Sequence, residues 1–293
     1  IIDKHYGCGD PSRHVRPGET VLDLGSGSGK ACYIISQIVG PQGKVIGVDF
    51  NPPMLELARK HQQNIGAKLG YHNVEFRRGK IQDLKTDLEL LERHLAENPV
   101  REVADLTRLE EFTNHIRRER PLIADESIDV IVSNCVLNLV RPEGKRALFA
   151  EMYRVLKRGG AAVFLDPVEN SAVFEFIQNL IPIPGYRPSI LQRAKWREFL
   201  RIADDRALSN SEFLKARQQF LTVKFSYLGL TARICRIVPG KPLRAILESV
   251  DTILTHRYSP LKKFAQNVIV RYEKGLTANP LGKSADVARE RER

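Results

Sequence analysis

A glycine-rich turn between two acidic residues is the part of this sequence best suited to chemistry. The segment VLDLGSGSG, residues 21–29, carries Asp23 and then only small residues at positions 25–29, among them Gly25, Ser26, Gly27 and Gly29. Asp49 ends a second apolar run, KVIGVD, twenty residues beyond Gly29. Glycine lets the backbone approach a ligand closely, and a carboxylate at this distance typically accepts hydrogen bonds from both hydroxyls of a ribose. The pattern predicts a nucleoside site with Asp49 as the ribose ligand.

The spacing of the glycines indicates which nucleoside binds. A dinucleotide site needs GxGxxG to seat a pyrophosphate on a helix N-terminus, whereas this turn reads GxGxG and follows an acid. A carboxylate at Asp23 repels a pyrophosphate but attracts a cation. S-adenosyl-L-methionine carries a sulfonium and an ammonium group, so we expect Asp23 to hold its amino-acid end. A glycine triplet alone is also typical of an ordinary tight turn, and the prediction of this cofactor depends on the two flanking acids.

Apolar strands alternate with helical stretches along the chain, which is typical of a sheet with helices on both faces. We therefore predict an α/β fold with a doubly wound, seven-stranded, mostly parallel sheet whose sixth and seventh strands are antiparallel. The predicted strands are 21–24, 44–49, 74–77, 128–133, 161–165, 221–228 and 267–272. The predicted helices include 32–39, 54–69, 147–156 and two amphipathic helices within a charged insertion at 87–120.

In an open parallel sheet the ligand lies over the carboxyl ends of the strands, so the residues that follow the strands should surround one cavity. This rule adds Phe50 and Asn51 after the second strand to the predicted cofactor site. It places Lys80 and Ile81 after the third strand, with Ile81 along the adenine and Lys80 at its edge. Residues 166–169 follow the fifth strand. After the fourth strand come two residues that should face the methyl group and its acceptor: Asn134 and Cys135.

Three segments of the chain resemble the arsenite methyltransferases, a branch of the class I methyltransferases that use S-adenosyl-L-methionine. These are YGCG at Tyr6–Gly9, GSGSGKACY around Cys32, and SNCVLNL at Ser133–Leu139. The resemblance extends from the N-terminus to about Asp166, and it implies the Rossmann-like fold of that class.

In that family, cysteine thiolates bind trivalent arsenic, and the arsenic lone pair attacks the sulfonium methyl group. The resemblance assigns this role to Cys8, Cys32 and Cys135. The family's fourth cysteine, in a short segment after the fifth strand, has no counterpart, because residues 169–201 contain none. From the residues alone, Cys32 is equally well explained as a small buried apolar side chain, whereas Cys135 lies at a strand end near the methyl donor.

Two other functions remain open at this point. The segment 167–274 resembles the region that caps the substrate in methyltransferases of lipids and polyketide-like molecules, so an O-, N- or C-methyltransferase of an apolar natural product is the first alternative. A hydroxyl or amine acceptor requires a base, for which His5, Tyr6 and Glu169 are the candidates. The second alternative, motivated by a net charge of +11, is a non-catalytic protein that binds S-adenosyl-L-methionine or RNA.

The composition limits the partners and the setting. The basic residues are dispersed and lack the interleaved aromatics of stacking recognition, which argues against a nucleic-acid partner and favours a small-molecule methyl acceptor. Four cysteines without a CxxC pair argue against a zinc site and against a secreted disulfide scaffold, so we expect no metal and a cytoplasmic setting. No apolar run approaches bilayer length, which leaves peripheral membrane contact and the oligomeric state open.

The sequence predicts three regions along the chain. Residues 1–166 form the core that binds S-adenosyl-L-methionine and include the insertion 87–120. Residues 167–274 form a substrate-capping region, with an insert at about 228–265, and contribute the last two strands. Residues 275–293 form a polar tail that we expect to be disordered.

Overall fold

A computed structural model describes residues 11–167, 180, 191–195, 213, 214, 216, 219–228 and 267–276. Several predictions lie outside these residues. They include Cys8, the candidate bases His5, Tyr6 and Glu169, most of the capping insert, and the polar tail from residue 277. The three predicted regions and their boundaries stay predictions.

Seven strands form one sheet in the order β3-β2-β1-β4-β5-β7-β6. The strands are β1 (Thr20–Leu24), β2 (Lys44–Asp49), β3 (Val74–Arg78), β4 (Ile128–Asn134), β5 (Leu156–Pro167), β6 (Thr222–Leu228) and β7 (Asn267–Glu273). The order reverses at β1, which is followed on one side by β2 and β3 and on the other by β4 and β5. This arrangement confirms the predicted doubly wound, mostly parallel sheet.

The prediction of two antiparallel strands at the end was wrong for one of them. Strand β7 pairs antiparallel with both β5 and β6. Because β6 is antiparallel to a strand that is itself reversed, β6 runs in the same direction as the first five strands. Only β7 is reversed within the sheet.

Helices cover the two faces of the sheet, because successive strand residues are buried in two separate cores. They are α1 (Lys30–Val39), α2 (Pro52–Leu69), α3 (Leu88–Glu97), α4 (Val103–Glu119) and α5 (Pro142–Val155), with short 3-10 turns at Pro11–His14 and Leu137–Leu139. Leu22 and Ile46 belong to one buried cluster, whereas their neighbours Val21 and Val45 belong to the other. Successive strand residues point to opposite faces, so each face has its own core.

Strand β5 begins at Leu156, whereas the sequence predicted a start at Ala161, just after Gly159 and Gly160. These two glycines are instead part of the strand. The register with β4 shifts from Ile128↔Leu156 to Val130↔Ala161, and Gly159 takes a positive φ of 78° inside this irregularity. The preceding helix therefore ends at Val155, and it begins at Pro142 because proline fixes a helical φ in a first turn.

The predicted amphipathic helices of the insertion are α3 and α4. Asp87 caps α3, because its Oδ1 accepts hydrogen bonds from the backbone N–H groups of Glu89 and Leu90. The His94 ring stacks on Phe112 with the ring centroids 3.7 Å apart, which joins the two helices. Within the described residues, no helix is long and apolar enough to cross a bilayer.

Candidate functional site

The glycine turn after β1 is held in a backbone conformation that only glycine adopts readily. Gly25, Gly27 and Gly29 have φ values of 75°, 51° and 77°. The N–H groups of Gly25 and Ser26 donate to the Val48 carbonyl at 2.8 and 3.0 Å, which ties the turn to β2. Positive φ is costly for residues with a Cβ. The three glycines of the motif are therefore required by the shape of the turn itself.

Asp49, at the carboxyl end of β2, reaches across to this turn. Its Oδ2 accepts the Gly27 N–H at 2.8 Å, and its Oδ1 accepts the Asn51 N–H at 2.9 Å, just before α2. Each carboxylate oxygen can accept more than one hydrogen bond, so both keep capacity for the two hydroxyls of a ribose. The structure thus brings Asp49, Asn51 and Gly27 together, as the sequence analysis expected.

The turn has a side at Gly27 that the described residues leave open. A Cβ built on Gly27 meets no atom within 4 Å among the described residues. Beside it, the Ser26 hydroxyl is buried and has no hydrogen-bond partner in the described part of the chain. Phe50, next to Asp49, is 67% exposed despite its large apolar ring. These three features fit a nucleoside ligand: the unpaired Ser26 hydroxyl could hydrogen-bond to it, the backbone at Gly27 is accessible, and the Phe50 ring is exposed.

Asp23 and Cys32 form a buried pair behind the turn. The Cys32 Sγ donates to Asp23 Oδ2 at 3.2 Å, and both side chains are buried. Burial raises the pKa of Asp23 to about 6; the Cys32 hydrogen bond opposes this rise, and the nearby charge of Asp49 adds to it. Burial, together with the charge of Asp23, raises the pKa of the Cys32 thiol well above its usual value. Cys32 is therefore a protonated donor at neutral pH rather than a thiolate.

After β3, the two predicted adenine contacts occupy different environments. The Lys80 side chain is exposed, and the Lys80 carbonyl accepts the Asp83 N–H at 2.9 Å in a tight turn. Ile81 is 8% exposed and packs with Leu84 in one of the two cores. Both residues lie beside the end of β3, but Ile81 offers only a small fraction of its surface to a ligand.

The segment after β4 lies directly against the glycine turn. Cys135 takes a left-handed φ of 57°, and its N–H donates to the Leu165 carbonyl at 2.7 Å. The next residue, Val136, fills the space over Gly25: a Cβ at Gly25 would lie 2.6 Å from Val136 Cγ2. Asn134 and Cys135 are half-buried at this junction. The structure therefore brings the predicted acceptor residues to the edge of the predicted cofactor site.

Cys135 is disulfide-bonded, whereas Cys32 is free. No disulfide is predicted from the sequence. Cys135 can therefore act as a thiolate only after the bond is reduced.

The sequence analysis placed Asp166 on the cavity wall without assigning it a function. Its side chain is buried, and Oδ1 accepts the Leu137 N–H at 3.1 Å. Burial raises the pKa of Asp166 to about 7, against the opposing effects of backbone N–H groups and of Lys145. The signal in the sequence is a single acid at the end of the apolar run AAVFL. A carboxyl group with such a shifted pKa in a ligand-binding region is a candidate functional residue.

Comparisons with known proteins agree with this geometry. Residues 16–204 match the family described as a methyltransferase domain. The chain is 39% identical over 166 residues to an arsenite methyltransferase of Aquipseudomonas alcaligenes, covering 57% of this chain and 38% of that protein. It is 38% identical over 178 residues to an arsenite methyltransferase of Halobacterium salinarum, covering 60% of this chain and 34% of that protein.

Among solved structures, an arsenic(III) S-adenosylmethionine methyltransferase from Chlamydomonas reinhardtii superimposes with a TM-score of 0.51 at 25% identity. That superposition covers 95% of this chain and 70% of the other. The matches to the curated relatives span less than two-fifths of their length.

Proposed function

We propose that this chain, which belongs to the methyltransferase domain family and resembles its arsenite methyltransferase branch, methylates trivalent arsenic with S-adenosyl-L-methionine as methyl donor. One observation carries the proposal. Val136 packs over Gly25, so the segment that contains Cys135 borders the turn that would hold the methyl donor. Methyl transfer needs donor and acceptor in line at short range, and this contact fixes their sites side by side.

The residues around the glycine turn fit the cofactor. When bound, S-adenosyl-L-methionine supplies a methyl group on a positively charged sulfur, which needs no further activation. The oxygens of Asp49 can accept the ribose hydroxyls while keeping their bonds to the backbone. Asp23 adds negative charge behind the turn, where the cationic amino-acid end would lie, and the buried Ser26 hydroxyl offers one more polar contact.

The acceptor side fits a soft metalloid held by sulfur. Trivalent arsenic prefers thiolate ligands, and Cys135 lies within bonding reach of a second cysteine sulfur. A thiol reductant converts that disulfide to two thiols, with the reductant becoming oxidised. An arsenic lone pair is itself the nucleophile, so no side chain has to remove a proton, and the chain's contribution is alignment.

Cys32 has a different role in this proposal. Its thiol is buried, protonated and bonded to Asp23, which leaves it unsuited to bind arsenic at neutral pH. We propose that it fixes the orientation of the Asp23 carboxylate. The arsenic site then consists of Cys135 and its disulfide partner after reduction.

A second candidate function is methylation of an apolar natural product or lipid. It is favoured by one feature of the sequence, the lack of cysteine throughout residues 169–201, where the resembling family carries its fourth arsenic ligand. This function predicts that Cys135→Ser keeps activity on the true substrate.

The test is to incubate the protein with S-adenosyl-L-methionine, glutathione and arsenite, and to measure S-adenosylhomocysteine and methylated arsenic by mass spectrometry. We expect turnover by the wild type, no methylated arsenic with Cys135→Ser, and an unchanged Kd for S-adenosyl-L-methionine in that variant by calorimetry. Cys32→Ser keeps a donor for Asp23, so we expect most of the turnover to remain.

The other outcomes discriminate between the candidates. Loss of arsenic methylation in Cys32→Ser, with cofactor affinity retained, would identify Cys32 as an arsenic ligand. Cofactor binding without arsenic turnover in the wild type would reject the arsenic proposal and favour an apolar acceptor. Cofactor binding without S-adenosylhomocysteine from any acceptor would favour a non-catalytic binding protein.

A further inference from the structure

A buried carboxylate at the end of β5 holds the segment that carries Cys135. Asp166 Oδ1 accepts the Leu137 N–H at 3.1 Å, and the backbone N–H groups of Val136 and Asn138 also interact favourably with this carboxylate. The carboxylate therefore lies against the backbone of this segment and is hydrogen-bonded to it at Leu137. The same segment is attached to β5 by its backbone, since the Cys135 N–H donates to the Leu165 carbonyl.

Asp166 lies in surroundings where burying a carboxylate lowers the stability of the fold. Its Oδ2 is buried and has no hydrogen-bond partner within the part of the chain that the structure describes. Two titratable groups face it, Lys145 from α5 and Tyr272 from β7, and both are fully buried. An apolar residue often stabilises such a place better than a charged one does. The presence of a carboxylate therefore suggests a role other than stability.

The conformation of the Cys135 segment needs such support. Cys135 is one of two residues besides glycine that have a positive φ within the described residues. A non-glycine residue keeps this conformation only where its surroundings impose it. Val136, the next residue, packs against Gly25, so any displacement of the segment changes both the Cys135 side chain and the surface of the glycine turn.

We propose that Asp166 is a positioning residue: by accepting the backbone N–H groups of residues 136–138, it fixes the direction of the Cys135 side chain relative to the methyl-donor site. The hydrogen bonding between Asp166 and the segment supports its positioning role directly, whereas the effect of that role on turnover rests on the proposed function. The acceptor oxygen carries the role, so an asparagine, which keeps one such oxygen, should replace the carboxylate in part.

The test compares Asp166→Ala and Asp166→Asn with Asp129→Ala. Asp129 is a matched control, because its Oδ2 also accepts a backbone N–H, that of Thr20 at 2.9 Å, but at the other end of the sheet. We expect Asp166→Ala to speed amide hydrogen exchange at residues 136–138 and to lower kcat for arsenic methylation by about tenfold to a hundredfold. The Kd for S-adenosyl-L-methionine should change less than kcat does, since its predicted ligands are not changed and the glycine turn is affected only through Val136.

Asp166→Asn should recover most of kcat and of the exchange protection, and Asp129→Ala should leave both as in the wild type. Equal losses in Asp166→Asn and Asp166→Ala would overturn the proposal, because the charge rather than the acceptor oxygen would then matter. Unchanged exchange at residues 136–138 in Asp166→Ala would overturn it as well.

Hydrogen exchange keeps the test independent of the reaction. If the wild type does not methylate arsenite, the proposed function fails, but exchange at residues 136–138 still decides whether Asp166 holds the segment. If Asp166→Ala does not fold, Asp166→Leu, which fills the space of the carboxylate without an acceptor oxygen, takes its place: faster exchange at residues 136–138 than in Asp166→Asn supports the role, and equal exchange in the two rejects it.

Discussion

The predicted donor side of the site and its predicted acceptor side are built in different ways. Most of the donor side comes from one continuous stretch, residues 23–51, in which Asp49 bonds directly to the turn after β1. The acceptor side joins residues 135–138 to Asp166, which lies 29 positions from its partner Leu137. A side built from local backbone geometry leaves a motif in the sequence, whereas one built from a tertiary contact does not.

The two sides meet where Val136 packs on Gly25. This contact means that the acceptor segment contributes to the shape of the donor turn. A change in one region is therefore expected to affect the other only when it acts through this contact, and substitutions elsewhere should separate donor binding from methyl transfer.

The largest expected effect is confined to the donor side. Asp49→Ala removes both predicted ribose contacts and leaves the Gly27 N–H without its acceptor. Since hydrogen bonds to charged groups are worth about 1.5–3 kcal/mol each, we expect the Kd for S-adenosyl-L-methionine to rise by about a hundredfold or more. Isothermal titration calorimetry measures this change.

Asp87→Ala is the matched control for Asp49→Ala. Asp87 also accepts two backbone N–H groups, those of Glu89 and Leu90, but it does so at the start of α3. We expect it to lose about 1 kcal/mol of stability through the helix cap and to keep the wild-type Kd. A Kd in Asp49→Ala within a few-fold of this control would remove Asp49 from the cofactor site.

The next effect tests the contact between the two sides. Gly25→Ala and Gly70→Ala both place a Cβ on a residue of positive φ, 75° at Gly25 and 79° at Gly70. At Gly70 a Cβ meets no atom of the described residues within 4 Å, whereas at Gly25 it meets Val136. We expect Gly25→Ala to lose about 1–3 kcal/mol more of the free energy of unfolding than Gly70→Ala does. Denaturant titration measures both.

Gly25→Ala should also weaken cofactor binding, because Val136 has to move, and Gly70→Ala should not. Adding Val136→Ala to Gly25→Ala is expected to recover much of the extra loss in stability. If the two glycine variants are equally stable and the second substitution recovers nothing, the donor and acceptor sides are not coupled at this contact.

The sequence predicted the elements around the glycine turn because their determinants are local, whereas the cofactor contacts assigned to them stay predictions. The glycine turn, the acid that ends β2 and the alternation of strands and helices are all visible within short windows of sequence. The early start of β5 was missed because β5 contains extra residues where its register with β4 shifts. An irregular pairing between two strands leaves no signal in the local sequence. The predicted direction of β6 was wrong for a related reason. The direction depends on which strand lies between β5 and β6 in the sheet, and the local sequence does not show this.

The acceptor side was only partly predictable. Strand-end topology placed Cys135 correctly at the edge of the donor turn, because the carboxyl ends of parallel strands share one edge of the sheet. The environment of Cys32 depends on its contact with Asp23, nine positions away and on another element, and the role we propose for Asp166 depends on amides contributed by a different segment. Burial of a titratable group is a property of the packed fold, and so the sequence could not show these pKa shifts.

The smallest expected effect is a pH dependence confined to the donor side. Burial raises the pKa of Asp23 to about 6, and the ionised form is the one that attracts the ammonium group of the cofactor. As the pH falls from 7 to 5, Asp23 becomes protonated in the free protein, and we expect the affinity for S-adenosyl-L-methionine to fall by about tenfold. Above pH 7 the carboxylate is already ionised, so the affinity should level off. In Asp23→Asn the affinity should be weaker and should not change with pH over this range, while Asp166→Asn should keep the wild-type slope. An equal slope in Asp23→Asn would assign the proton to another group and would leave Asp23 without a direct part in binding the donor.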